Sequence, residues 1–223
     1  MRESGALWLT MELAAITVVL LLVLGTPLAW WLAHSRTRLR VLFEAAVALP
    51  LVLPPTILGF YLLLLMSPKS PLGAWWLETT GHTLTFSFTG LVVASMLYSL
   101  PFVVQPLQAA FEAIGRKPLE TAWTLGASRL DAFFTVAAPL ALRGFATAIV
   151  LGFAHTLGEF GVVLMVGGSI PEETRVVSIA IFEAVERLDY GAAHELSMTL
   201  LGFSYLVMLL VYALNRRFPR VLP

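Results

Sequence analysis

Between Leu13 and Ala33 the chain carries no charged side chain, and the same holds between Ala45 and Pro68. A third run, Thr79 to Phe111, is interrupted only by His82. A fourth extends from Pro139–Leu140 to about Val166 with Arg143 and Glu159 inside it, and a fifth from Leu196 to Asn215. A helix crossing a bilayer needs about 20 mostly apolar residues, and each run reaches that length. In hydrocarbon, a helix is the simplest structure that closes its own backbone hydrogen bonds. The runs therefore predict an all-α polytopic membrane protein with five spans, at about 10–33, 42–66, 86–110, 140–166 and 194–215. Together they form one transmembrane domain over residues 1–223.

Composition excludes the competing classes. Residues are 58% hydrophobic and 13% charged, against about 25% charged in a soluble domain. Formal net charge is +0 and no basic block stands out, so a nucleic-acid module is excluded. The chain has no cysteine, hence no disulfide or thiolate metal site. The first apolar run exceeds the 7–15 residues typical of a signal peptide and is followed by arginines, so it reads as an uncleaved span.

Orientation follows from the basic residues. With five spans, Arg36, Arg38, Arg40, Arg116, Lys117, Arg129, Arg143, Arg216, Arg217 and Arg220 share one side. Arg2, Lys69, Arg175 and Arg187 take the other. The richer side is read as cytoplasmic, with the N-terminus outside and the C-terminus inside. The charged segment at about 174–189 is expected to be a helix at the outer surface, and a sixth span is the alternative. Prolines and glycines punctuate the outer loop Ser67–Thr80, where Trp75 and Trp76 suit an interfacial belt.

No nucleotide or hydrolytic chemistry is legible. Neither lysine, Lys69 nor Lys117, belongs to a phosphate-binding glycine loop, and there is no Gly-x-Ser-x-Gly or His-Glu-x-x-His. The chain is read as a non-enzyme. His155 and Glu159 lie four apart in span four, on one helix face. They form a candidate proton relay or half of a metal site, but no third ligand presents itself and no metal is expected. A proton-coupled secondary transporter is the distant alternative they leave open.

The most informative stretch is Glu112 to Pro139 (loop 112–138). Pro118 suits a first helical turn, and Glu120 complements the helix dipole there. Gly126 suits a left-handed end, and Ser128-Arg-Leu-Asp131 reads as a capping box for a second helix. Two short helices joined at a glycine make a knob suited to a partner's cleft; a hairpin lying in the interface is the plainer reading.

Glu120-Thr121-Ala122, Gly126 six residues on and Pro139 nineteen on resemble the EAA loop of ABC importer permeases, with Thr121, Val136 and Ala138 as departures. Leu49–Pro55, Phe86–Gly90, Gly158-Glu-Phe-Gly161 and Ile170-Pro-Glu-Glu-Thr-Arg175 narrow the resemblance to molybdate or tungstate permeases, where Glu172 is more often Gly. Sulfate permeases share much of it. The resemblance implies a type I importer permease fold in the inner membrane. It implies a homodimer served by two cytoplasmic ABC ATPase subunits and a periplasmic oxyanion-binding protein. ATP-Mg would sit on the ATPase and no cofactor on this chain. Sulfate, thiosulfate or another anion is the alternative cargo. Coupling to the ATPase would involve Glu120, Thr121, Ala122, Gly126, Ala127, Arg129 and Pro139.

The spans hold no central Lys or Arg, so neutral groups are the candidate pathway lining: Thr56, Ser95, Ser99, Thr147 and Thr156, with Glu159 and Ser169 at the gate. Each hydroxyl equally suits a bond to its own helix backbone. Pro50, Pro54, Pro55, Pro101 and Pro106 predict kinked second and third spans. Gly152, Gly158 and Gly161 predict a close-packing face on the fourth.

Overall fold

The computed structural model describes residues 2–215, and among these it is helical throughout, without strands. The order is α1 Arg2–His34, α2 Leu39–Val52, α3 Pro55–Met66, α4 Pro71–Thr80, α5 Phe88–Ile114, α6 Lys117–Thr124 and α7 Arg129–Ala132. A π-helical turn, Phe133–Ala137, then leads into α8 Ala138–Leu140, α9 Leu142–Leu157, α10 Gly161–Gly167, α11 Val177–Glu186 and α12 Tyr190–Asn215. Arg216, Arg217 and Arg220, which contribute to the charge count above, lie outside the described residues.

Helix α5 is the central post. Near its C-terminal end Phe111 packs edge-on against Trp30 of α1 at 5.1 Å, within a core that includes Leu32 and Leu107. Near its N-terminal end Leu91 and Val92 pack with Leu9 and Leu13 of α1, so the two helices run parallel. Helix α9 approaches the same post closely because it offers glycines. A Cβ on Gly152 would lie 2.7 Å from Val103, and one on Gly144 would fall on Ala110. The small-residue face is thus Gly144 and Gly152. Gly161 packs instead on Pro55, and Gly158 ends α9.

The second apolar run is broken, with α2 and α3 meeting at 114°. Two consecutive prolines explain the break. Pro54 and Pro55 have no N–H to return to the carbonyls of Pro50 and Leu51, and Leu53 before them is pushed extended (φ −75°, ψ 134°). The pair still runs the length of α5. Arg40 bonds Glu112 at one end (2.5 Å), and Met66 lies beside Gly90 at the other. By contrast α5 continues as one helix through Pro101 and Pro106, without a break. Isolated prolines each cost one ladder bond and leave the turns between them intact.

The fourth run divides twice. Residues Arg129–Leu140 meet Leu142–Leu157 at 71°, and the chain breaks again between α9 and α10. Glu159 N–H turns back to Thr156 O (3.3 Å), and Phe160 adopts φ −128°, ψ −57°. The uninterrupted span from Pro139 to Val166 is corrected accordingly. The loop 67–80 also holds a helix, α4. Ser70 Oγ accepts from Gly73 N–H (2.9 Å), Pro71 occupies the first turn, and Gly81 closes it.

Among the described residues three helices are long and apolar enough to cross a membrane, or up to five segments if each bent pair is one span. Helix α11 has only 10 residues. It packs on α1 at the end remote from α6 and α7, where Thr10 Oγ1 accepts from Val177 N–H (2.9 Å).

Candidate functional site

At one end of the bundle, residues 115–140 form a self-capped knob. Pro118 and Glu120 fill the first turn of α6. Leu119 is buried against Ala132 and Ala137, with Trp30 and Phe133 alongside. The turn after α6 is a double closure: Ala127 N–H bonds Ala122 O and Gly126 N–H bonds Trp123 O, both at 3.0 Å. Gly126 sits at φ +92°, the left-handed position this motif needs. Ser128 Oγ then accepts from Asp131 N–H (3.1 Å), the expected cap of α7.

The knob's local bonds are complete, yet its apolar surface is not covered. Leu125 is 84% exposed, Leu130 73% and Phe134 68%. Glu120, Thr121, Gly126, Arg129 and Pro139 are exposed, while Ala122 and Ala127 are half-buried beside Leu119. A cavity of about 250 Å³ opens between Trp30, His34, Arg116, Leu119, Glu120, Trp123 and Arg129. The knob is tied to the bundle. Arg116 donates to His34 O (3.2 Å), and Arg40 bonds both Glu44 (2.7 Å) and Glu112. Gln108 donates to Glu44 (2.6 Å). Arg116 thus links the knob to the end of α1, and Arg40 and Gln108 join the start of α2 to the end of α5 beside it.

A cleft of about 600 Å³ lies between α3, α5, α9 and α10, lined in part by Pro55, Thr56, Tyr98, His155, Gly158 and Glu159. Its wall is ordered by one polar chain. His155 Nδ1 lies 2.9 Å from Ser99 Oγ, which lies 3.1 Å from Thr156 Oγ1. Thr156 in turn donates to Gly152 O at 2.9 Å. The His155 ring stacks on Phe102 at 3.9 Å and meets Tyr98 at 4.6 Å. Glu159, at the α9–α10 break, is 4% exposed. Neither of its carboxyl oxygens has a hydrogen-bond partner, and neither has the buried Ser95 hydroxyl that lies toward it. A buried orphan of this kind requires an explanation.

The candidate pathway residues are thus spread over four places. Thr56 and Glu159 line the cleft. Ser95, Ser99 and Thr156 are buried behind its wall. Thr147 donates to Arg143 O one turn back (2.9 Å) and lies away from the cleft. Ser169 belongs to the far end. Tyr98 and Phe102 were not among the sequence candidates. The helical spacing of Ser95, Tyr98, Ser99 and Phe102 along α5 would have placed them on one face. No group of three His, Cys, Asp or Glu side chains able to hold a metal occurs among the described residues.

At that far end, loop 168–175 is clasped to α11. Thr174 is buried, donates to Gly167 O (2.7 Å) and accepts from Ile170 N–H (3.0 Å). Ser169 donates to Glu183, and Arg175 bonds the other carboxylate oxygen at 2.9 Å. Burial works against charge on Glu183, but the Ser169 hydroxyl and then Arg175 and Arg187 outweigh it. They hold its carboxyl below the usual value.

Residues 25–220 match the family model described as binding-protein-dependent transport system inner membrane component. The molybdenum transport system permease protein ModB of Azotobacter vinelandii is 60% identical over 217 residues, covering 97% of this chain and 96% of that one. ModB of Escherichia coli K12 is 34% identical over 184 residues (82% and 80%). The sulfate transport system permease protein CysT of the same organism is 34% identical over 198 residues (89% and 71%). Among solved structures, a bacterial ABC transporter that imports alginate superposes with TM-score 0.80 at 16% identity, covering 99% of this chain and 81% of that one. The MetNI methionine ABC transporter in an inward-facing form gives 0.76 at 16% identity (96% and 95%). By family match and close relatives together, the chain belongs to the inner membrane components of binding-protein-dependent transport systems.

Proposed function

We propose that this chain is the permease subunit of an ATP-driven importer that carries molybdate, or the closely similar tungstate, into the cytoplasm. The observation that carries the reading is the 60% identity with an A. vinelandii molybdenum permease across nearly the full length of both chains. The sulfate permease of E. coli reaches 34% and is covered only to 71%. Family and fold favour this over proton-coupled secondary transport. Uptake of labelled molybdate by the reconstituted transporter tests it. Excess unlabelled tungstate should compete and excess sulfate should not; competition by sulfate alone would move the assignment to a sulfate permease.

The division of labour follows from the geometry. The chain offers a knob with exposed Trp123, Leu125 and Leu130 and no nucleotide site of its own. We assign the knob to the cleft of a cytoplasmic ABC ATPase that holds ATP-Mg, one ATPase per permease chain in a homodimer. Arg36, Arg38, Arg40, Arg116, Lys117 and Arg129 gather at that end of the bundle, which supports a cytoplasmic knob and an N-terminus outside. The opposite end, with loop 168–175 and α11, then faces the periplasmic oxyanion-binding protein.

Closure of the ATPases would draw the two knobs together. Through Arg40, Gln108 and Glu112 the pull reaches α2 and α5, and the hinges at Pro54–Pro55 and Gly158–Phe160 let the cleft walls move while α5 stays whole. No Lys or Arg lines the cleft. A dianion held by fixed cations would be slow to leave, and conduction needs release as well as entry.

A further inference from the structure

The polar chain behind the cleft fixes where the hydrogens of His155 lie. Thr156 spends its one hydroxyl hydrogen on Gly152 O, so its oxygen can only accept from Ser99. Ser99 then spends its own hydrogen on Thr156, so its oxygen accepts from His155 Nδ1–H. The reverse order would set the Ser99 and Thr156 oxygens 3.1 Å apart with no hydrogen between them. Neutral His155 therefore carries its hydrogen on Nδ1 and keeps a lone pair on Nε2. Among the described residues no protein group bonds Nε2, and the half-buried ring lines the cleft.

A proton added at Nε2 leaves this chain unchanged, because Nδ1–H donates to Ser99 in either state. Burial of the ring opposes the added charge, and the two flanking rings offset part of that cost while the arriving anion supplies the paired charge. Phe102 stacks at 3.9 Å and Tyr98 meets the imidazole at 4.6 Å, both within the range at which an aromatic face attracts a cation. Ring rotation would break the Ser99 bond, so Nε2 is held as the edge presented to a ligand. The titratable groups around it are Tyr98 from α5 and Glu159 from the α9–α10 break; α3 contributes Thr56 and no ionisable side chain to the lining.

Resting on the oxyanion reading above, we propose that His155 is the transient cationic contact of the transported anion. The ring takes a proton from water at Nε2 as the oxyanion arrives, donates that N–H to an anion oxygen, and returns the proton to water when the anion leaves. A pathway without Lys or Arg thus gains one positive charge only while it is occupied. Tyr98 and Phe102 hold the ring, and Ser99 and Thr156 are positioning residues.

The test uses the complete transporter, with its ATPase and binding protein, in proteoliposomes. Molybdate uptake per ATP hydrolysed is measured from about pH 6 to about pH 8, the range in which histidine titrates. The wild type should fall roughly tenfold across it. His155→Arg, with a permanent charge, should lose that pH dependence and run slowly because a fixed cation delays release, and His155→Gln should be low and flat. A His155→Gln profile that matches the wild type overturns the proposal. Wild-type ATP hydrolysis without molybdate uptake at any pH would instead defeat the oxyanion reading. Imidazole ¹⁵N shifts of the wild-type complex give an answer independent of transport or variant assembly. They should show resting His155 protonated at Nδ1, and a resting Nε2–H tautomer overturns the proposal.

Discussion

Gly126 is the residue on which the knob's geometry turns. It sits at φ +92° with nothing within 4 Å of a Cβ built there, so a side chain would meet backbone strain and no clash. Gly126→Leu should therefore cost roughly 1–2 kcal/mol locally. It should leave the chain in the membrane and abolish ATP-driven uptake, with Glu120→Ala weaker in effect. Uptake and ATPase copurification from the same membranes check this. Wild-type uptake by Gly126→Leu would show that the knob does not couple. Glu183 makes the corresponding case at the opposite end. Its carboxyl is held below the ordinary value, so the stability it lends the loop is present above the unfolded value and is lost as pH falls through the depressed one. The clasp should survive mild acid and fail only below the ordinary glutamate range, about pH 4.3. Glu183→Gln at neutral pH removes charge from bonds worth about 1–3 kcal/mol. The amides of Ile170, Thr174 and Arg175 should exchange roughly tenfold faster in hydrogen-exchange measurements. Unchanged exchange would mean that Thr174 alone holds the loop.

At the scale of elements, the close approach of α9 to α5 rests on missing side chains. Gly144→Val would place a branched side chain on Ala110, and overpacking of this kind costs roughly 1–3 kcal/mol. A lowered melting temperature of the purified complex is expected, and an unchanged one would show that α9 can shift away freely. Long uncharged runs announced the helices, and Pro118, Gly126 and Ser128 announced the knob, because these signals act on the chain's own backbone. The breaks were less legible. A proline pattern does not distinguish α5, which absorbs Pro101 and Pro106, from α2–α3, which breaks where Pro54 and Pro55 remove neighbouring donors together. The break at Gly158–Phe160 carries no proline at all, and a single Glu159 within an otherwise apolar run does not mark a helix end. Helix α4 was readable in principle from Ser70-Pro71 and Gly81 but was masked by the density of turn residues. The cleft needed the fold, since Ser99 and His155 are 56 residues apart and meet only when α5 and α9 pack.

At the scale of the molecule, helices broken near the cleft join a knob without a phosphate-binding motif to a cleft lined by no Lys or Arg. The chain alone leaves Leu125, Leu130 and Phe134 uncovered at one end, and α12 buries little of its surface. Both fit the proposed assembly, in which the remaining surfaces would meet lipid, a second copy and an ATPase. The most direct measurement is molybdate accumulation in proteoliposomes containing this chain, its ATPase and its binding protein, followed together with ATP hydrolysis. Accumulation should require ATP, the ATPase and the binding protein, and should persist when an uncoupler collapses the proton gradient. Accumulation without ATP that follows an imposed proton gradient would contradict the account.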